Sequence, residues 1–412
     1  MSYERIYDVL LHGRLVGGLY KQGRTLAFAF DEDYGQDPDR SVLGFRLDED
    51  VRAMHYAQDR LPAWFANLLP EGQLRELLEL SVEPLAEGGQ SEREIELLEV
   101  VGSDLPGAVQ IVAHAGATQR DFLRRRREAG RLEDVDEAWR FSVAGVGLKL
   151  SLLRSGRRFT APVSGSRGDW LVKLPDRVFP ALPENEFAVM TLAQAVGIDV
   201  PSIELVHRDQ LQKTSDALWA GESLGFAIER FDRPTQGEAT HIEDFAQVRG
   251  LRPERKYEGN FETVANLAYR GHDERSLVEF TRRLTLSLLV GNSDAHLKNW
   301  SFIYPDRKNA TLSPAYDLVS VVAYSSVGID MSLALRLANR KQYGQVTLGA
   351  FARLAKKINA PIALDEVAAE TLRAARGAWE VFEQRLSQHV EMRSATTEHA
   401  RKMYRQLLDD PW

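Results

Sequence analysis

Asp294, Asn299 and Asp317 are the residues of this chain whose types and spacing point most directly to a chemistry. The first two stand five residues apart in the polar loop Gly291-Asn292-Ser293-Asp294-Ala295-His296-Leu297-Lys298-Asn299, and Asp317 follows eighteen residues after Asn299. A carboxylate, an amide and a second carboxylate in that order are what phosphoryl transfer to a hydroxyl requires: a base for the acceptor and two oxygen ligands for magnesium. Such transfer needs little covalent help, so positioning and charge neutralisation dominate. Asp294 would orient and deprotonate the acceptor. Asn299 would bind one Mg²⁺, and Asp317 would bind the ions that bridge the phosphates. Lys298 could neutralise charge on the group in flight, and His296 could order the loop. A capped helix end accounts for one of Asn292, Ser293 or Asp294 and leaves the others without a reason.

Upstream lie the parts that would hold a nucleotide. In Ser142-Val143-Ala144-Gly145-Val146-Gly147-Leu148-Lys149, two glycines one residue apart let backbone amides approach an anion. The spacing is neither a P-loop nor a full G-x-G-x-x-G, so a plain turn explains it equally on its own. Lys173 sits inside the strand-like Trp170-Leu171-Val172-Lys173-Leu174, where alternation sets it with Leu171 and Pro175 on one side. It is either a solvent-facing lysine or the lysine that grips the α- and β-phosphates. The second role asks for an acidic partner on the next helix, which Glu186 could supply, with Glu184 as the competing choice. Glu229-Arg230-Phe231 closes another strand; its backbone could meet adenine and Phe231 could line the base pocket, unless Phe231 is a core aromatic.

The elements around these residues form a sequence of units. Residues 5–11 and 26–31 read as short strands separated at Gly17-Gly18 and Gly23, and residues 61–69 as a helix broken at Pro70-Glu71-Gly72. With the apolar stretch Ile95 to Val101 and a strand at 107–111, residues 1–112 make a small mixed α/β unit. Residues 113–138 are a charged connection, and 139–235 are strand-rich, with strands at 141–145, 170–174 and 225–231 and a helix over 184–196 ended by Gly197. Beyond 236 the chain turns helical, with Leu277, Phe280, Leu284 and Leu288 on one face and a long amphipathic segment over 364–388. Strand-rich before helix-rich suits two lobes with a nucleotide cleft between them.

Composition narrows the class. The chain has 412 residues, 44% of them hydrophobic, enough for a substantial core in two or three subdomains. With no cysteine, disulfides, thiol nucleophiles and thiolate metals are excluded. The first residues show no secretory signal and no apolar run approaches a bilayer span of roughly 20 residues, so a cytoplasmic protein without a membrane anchor is expected. A net charge of -8 argues against a general nucleic-acid coat, and Arg124-Arg125-Arg126-Arg127 is soon diluted by acidic residues. The spacings of His241, His272 and His296 match no zinc motif, and no G-x-S-x-G elbow announces a hydrolase.

Taken together the ordered segments resemble the HipA family of serine/threonine kinase toxins from type II toxin–antitoxin modules. They include Asn67-Leu68-Leu69-Pro70-Glu71-Gly72 with Arg75, Gly102-Ser103-Asp104-Leu105-Pro106-Gly107-Ala108-Val109, Ser142 to Gly145 with Lys149, Val172 to Pro175, Asn185-Glu186, Glu229 to Arg233, Glu243 to Gln247, Gly291 to Asn299 and Tyr316-Asp317-Leu318. The resemblance implies an α+β, two-lobed protein-kinase-like fold with an added N-terminal α/β subdomain and an all-helical C-terminal lobe. It implies that Gly145, Val146, Gly147, Lys149 and Lys173 contact ATP, that Glu229 and Phe231 hold adenine, and that Gln247, His296 and Lys298 line the site. It makes Asp294 the base, Glu186 the acid that supports Lys173, and Asn299 with Asp317 the Mg²⁺ ligands. Ser142 falls on the serine that family members autophosphorylate to switch themselves off, in keeping with adding negative charge beside a phosphate-holding loop. The expected partners are a helix-turn-helix antitoxin, DNA only through that antitoxin, and a protein substrate such as an aminoacyl-tRNA synthetase; the complex allows a homodimer. Gly147 and Leu148 depart from the family, which has a Gln and a small or polar residue there, and Met331 to Asn339 lacks the family's lysine-bearing form. A small-molecule phosphotransferase and a catalytically weak scaffold in an antitoxin–DNA complex are the alternatives.

Overall fold

In the computed structural model the described residues are 3–81, 90–102, 104–115, 148–162, 167–211, 214–234, 237–328 and 330–412. Ser142, Gly145, Val146, Gly147, the strand read at 141–145 and the arginine run at 124–127 lie outside them. The alternating residues near the start form β1 (Glu4–Leu11), followed by β2 (Arg14–Gln22), β3 (Thr25–Phe30) and β4 (His55–Gln58), and β5 (Val109–Ala113) returns beside β1. The antiparallel order is β4-β3-β2-β1-β5. Gly17-Gly18 lies inside β2 and does not separate strands. A Cβ on Gly17 would come 2.5 Å from the Ala29 carbonyl oxygen and 2.7 Å from the Phe28 ring, and one on Gly18 2.7 Å from the Arg5 guanidinium. These glycines serve close approach, which pattern reading takes for a turn.

The helix expected over 61–69 is only Ala63–Ala66; the chain restarts as Gly72–Ser81 after Pro70, with Gly72 at φ 55°. The second sheet has the antiparallel order β7-β6-β8-β10-β9, from β6 (Lys149–Ser155), β7 (Arg158–Thr160), β8 (Trp170–Lys173), β9 (Ile203–His207) and β10 (Leu224–Glu229). One face of this sheet (Leu150, Leu152, Trp170, Val172) packs into the same apolar cluster as Val9, Phe28, Phe65 and Leu98 of the N-terminal unit. The other face meets the helix Leu182–Ala195, whose Ala188, Val189 and Leu192 are fully buried in the helical lobe's core.

That lobe is built on Glu274–Val290, a helix capped by Asp273 at its start and by Gly291 in the left-handed region at its end. Against it pack Phe261–Tyr269, Leu364–Gly377 and Val390–Leu408. The segment read as one helix over 364–388 is two, Leu364–Gly377 and Trp379–Arg385, divided at Ala378. Besides its helices the lobe carries a small sheet, β11 (His241–Asp244), β12 (Ser301–Tyr304) and β13 (Thr311–Leu312), of which β12 and β13 follow the polar loop. Among the described residues no helix is long and apolar enough to cross a membrane.

Candidate active site

A cavity of about 570 Å³ lies between the second sheet and the helical lobe, and Lys149, Lys173, Glu186, Glu229, Phe231, Gln247, Asp294, His296, Lys298, Asn299 and Asp317 all line it. Lys173 ends β8 with its ammonium bound to both Glu186 and Asp317. Its side chain is 15% exposed, so it is not a solvent-facing strand residue. Glu184 turns instead toward His389, at 3.6 Å. Lys149 stands directly opposite Lys173 in the β6–β8 register and makes no ion pair within 4 Å among the described residues. Two lysines facing each other on neighbouring strands repel unless an anion lies between them. Burial and then Lys173 press the Lys149 pKa down, opposed by Asp317.

The segment that carries Asp317 is fixed by Asn185, whose amide donates to Ser320 O and accepts from Ser320 N–H, both at 2.9 Å. Asp317 itself has φ 61°, a left-handed conformation rare for a non-glycine residue. Burial would raise its carboxyl, but Lys149 and Lys173 outweigh that and hold it far below the usual range. Lys173 in turn is kept protonated: burial works against the charge, and Asp317 and Glu186 more than compensate.

The polar loop begins where Gly291 ends its helix, and its carbonyl accepts from Val321 N–H (3.2 Å) and Val322 N–H (3.1 Å), which ties it to the Asp317 segment. Asn292 Oδ1 accepts from Asp294 N–H at 3.0 Å, a local turn that sets the Asp294 backbone. Burial raises the Asp294 pKa, tempered by a hydrogen bond from Tyr257. His296 is driven down to about 3 by burial, then by Lys256, so it stays neutral. Asn299 Nδ2 lies 3.5 Å from Asp317 Oδ2, and Asn299 Oδ1 is buried with no hydrogen-bond partner among the described residues. An orphaned amide oxygen beside an ionised carboxylate fits an oxygen-liganded cation such as Mg²⁺, which takes few protein ligands and keeps water and phosphate oxygens as the rest.

Two residues have their polar ends committed elsewhere. Gln247 donates to Trp64 O at 3.1 Å and accepts from Asp244 N–H at 2.9 Å in a capping box, so it shapes the wall with its side-chain amide already used. Lys298 is buried against Asn67 O (2.9 Å), Glu71 (3.0 Å) and Asp244 (3.4 Å). Glu71 also binds Lys256 at 2.9 Å, and although burial would raise its carboxyl, Lys298 and Lys256 bring it down to about 2. Asn67 and Glu71 come from the N-terminal unit. Asn67, Glu71, Lys256 and Tyr257 were assigned no role from sequence; Lys256-Tyr257 sits in a charged stretch with no periodicity to mark it.

At the other wall Phe231 is half-buried, its ring 5.9 Å from that of Tyr316, and belongs to neither core cluster. The adjacent Arg230, Asp232 and Arg233 are buried with Asp104: Arg230 reaches Asp104 at 2.8 Å and Asp232 at 2.9 Å, and Gly107 N–H donates to Asp232 at 2.8 Å. His241 is spent on Leu43 O at 2.7 Å. The site therefore gathers Lys149, Lys173, Glu186, Asp294, Asn299 and Asp317 around one space, with an apolar edge at Phe231.

Comparison with known proteins places the chain. The family model described as HipA-like C-terminal domain matches residues 141–379, and the HipA N-terminal domain matches residues 7–112. A candidate kinase of Sinorhizobium fredii, Y4dM, is 38% identical over 408 residues, covering 96% of each chain. The serine/threonine-protein kinase toxin HipA of Shewanella oneidensis is 28% identical over 71% of this chain and 75% of its own. The solved Shewanella oneidensis complex of HipA, HipB and operator DNA contains a chain of the same fold, with a TM-score of 0.73 over 98% of this chain and 97% of that one at 23% identity. On these matches over nearly its whole length, the chain belongs to the HipA family of kinase-like toxins.

Proposed function

We propose that this protein is an ATP- and Mg²⁺-dependent protein serine/threonine kinase and the toxin of a toxin–antitoxin module. The observation that carries this is Lys173, buried between Glu186 and Asp317 on the cavity that also holds Asp294 and Asn299. Lys173 and Lys149 hold the phosphates of ATP, and Glu229 and Phe231 receive its base. Asn299 and Asp317 hold Mg²⁺, which when bound neutralises charge shared by the β- and γ-phosphates. Asp294 orients the acceptor hydroxyl and takes its proton; burial lifts its affinity for that proton in the direction a base requires. Neutral His296 and committed Lys298 act by holding the loop, so charge in flight is met chiefly by Lys149 and Lys173.

The toxin role carries further proposals: cytoplasmic action, a helix-turn-helix antitoxin as partner, DNA contact through that partner, inhibitory autophosphorylation at Ser142, and a translation component such as an aminoacyl-tRNA synthetase as substrate. The Shewanella complex with HipB and operator DNA supports the antitoxin partner. The test is transfer of label from γ-labelled ATP by purified protein, with Asp294→Ala as control. Equal labelling by both proteins would sink the assignment. Phosphoproteomics after induced expression, against Asp294→Ala, would report the acceptor and the state of Ser142; label appearing on a small molecule instead would redirect the substrate class.

A further inference from the structure

Tyr257 lies outside the polar loop, yet its hydroxyl donates to Asp294 Oδ1 at 2.6 Å. It follows the short turn Pro253–Arg255, and the backbone around it is pinned. Lys256 N–H donates to Pro253 O at 3.1 Å, Glu258 N–H to Arg255 O at 2.9 Å, and Lys256 O accepts from Leu297 N–H at 3.1 Å. The Lys256 ammonium is held by Glu71 at 2.9 Å. The Tyr257 residue itself is 45% exposed, its ring meeting His296 edge-on at 5.1 Å. Rotation of this side chain can lift the hydroxyl from Asp294 while the loop stays in place.

A general base takes its proton from a hydroxyl within about 2.6–3.2 Å. The Tyr257 hydroxyl already sits at that distance from a carboxylate oxygen of Asp294. Burial and then Asp294 raise the phenol far above its ordinary pKa, so it acts there as a donor and stays protonated. We infer that Tyr257 is a stand-in for the acceptor hydroxyl, occupying Asp294 until a protein acceptor displaces it and so excluding water as a competing acceptor. This rests on reading Asp294 as the base.

In the competing reaction, water's oxygen would bond to the γ-phosphorus and the bond from phosphorus to the bridging oxygen would break. ADP would leave with that electron pair, and water's proton would pass to Asp294. An oxygen already accepting from a phenol is poorly placed to receive it. A protein acceptor brings contacts over a wide surface that can displace one exposed side chain; water brings none. A hydrogen bond to a charged group corresponds to about tenfold or more in an equilibrium, less where solvent competes, so its loss should raise hydrolysis about threefold to tenfold.

The test uses the full chain as wild type, Tyr257→Phe, Tyr257→Met and Asp294→Asn, with ATP and Mg²⁺ and no added acceptor, reading released inorganic phosphate. Both Tyr257 variants should hydrolyse ATP about threefold to tenfold faster in kcat, with KM for ATP unchanged, a gain that loss of structure does not produce. Unchanged or slower hydrolysis in both variants, including none detectable, overturns the inference. With Asp294→Asn inactive, that result leaves the base assignment standing. Hydrolysis retained in Asp294→Asn removes the base assignment itself, and the inference with it.

Discussion

Replacing Glu71 by Gln removes one charge from the N-terminal unit and should be felt at the loop that carries Asp294. A carboxyl brought from 4.5 to about 2 interacts with its surroundings more favourably when ionised by on the order of 3 kcal/mol, at about 1.36 kcal/mol per decade. The Glu71 side chain is 15% exposed, so solvent screening takes little from this. Because the folded-state pKa is depressed, the contribution is present above about pH 4.5 and is lost as pH falls through about 2. At pH 7, Glu71→Gln should therefore cost on the order of 3 kcal/mol, leaving two buried lysines with weaker partners. Urea unfolding followed by tryptophan fluorescence measures this, and a double-mutant cycle with Lys298→Met assigns it. Removing Lys298 as well relieves its weakened ammonium site, so the double variant should fall short of the sum by ~1–2 kcal/mol. Additivity within about 0.5 kcal/mol would refute the coupling. Label transfer by Glu71→Gln should also fall by about tenfold or more, because Lys256 and Lys298 flank the loop that holds Asp294.

Lys173→Met should lower label transfer by about 100-fold or more and Glu186→Gln by about tenfold; wild-type rates in Lys173→Met would remove this lysine from the site. Glu243 is pushed up to about 7 by burial, against hydrogen bonds from Tyr304, Phe45 N–H (2.6 Å) and Trp64 (3.1 Å). Its raised folded-state pKa means stability is full below about pH 4.5 and declines by on the order of 3 kcal/mol as pH rises through about 7. Glu243→Gln should flatten the difference in urea midpoint between pH 5 and pH 8, and an identical difference in both proteins would count against the shift. Gly107 has φ 72°, and a Cβ there would lie 2.7 Å from Ile242 N. Gly107→Ala should therefore destabilise by about 3 kcal/mol, read as a lower unfolding midpoint; an unchanged midpoint would show that the backbone relaxes freely.

What the sequence disclosed and what it hid divide along physical lines. The order Lys173, Glu186, Asp294, Asn299, Asp317 was readable because each is a charged or amide residue set beside an apolar strand or helix, where its type stands out. The choice of Glu186 over Glu184 needed geometry, since both begin the same helix and only Glu186 faces Lys173. Glu71, Lys256 and Tyr257 were hidden because their meaning lies in contacts between distant parts of the chain, 185 residues apart for Glu71 with Lys256 and 37 for Tyr257 with Asp294, which no local pattern encodes. The assembly of β11, β12 and β13 into a small sheet went unread for a similar reason: its strands are four, four and two residues long, too short for alternation to fix their pairing. Gly17-Gly18 misled because close packing and turning both select glycine.

The N-terminal unit touches both walls of the cleft. Asp104 and Gly107 join it to Arg230, Asp232 and Arg233 beside Phe231, and Asn67 and Glu71 join it to Lys298 and Lys256 beside the loop that carries Asp294. Mechanically it is a strut bolted at two ends, and a strut trades range for precision. Any widening of the cleft must strain one of two buried ionic joints, so in the proposed kinase nucleotide exchange would fall to side chains and loops and not to swinging lobes. Kinetic defects that look like altered gating should then map to residues of a unit that contains none of the transfer chemistry.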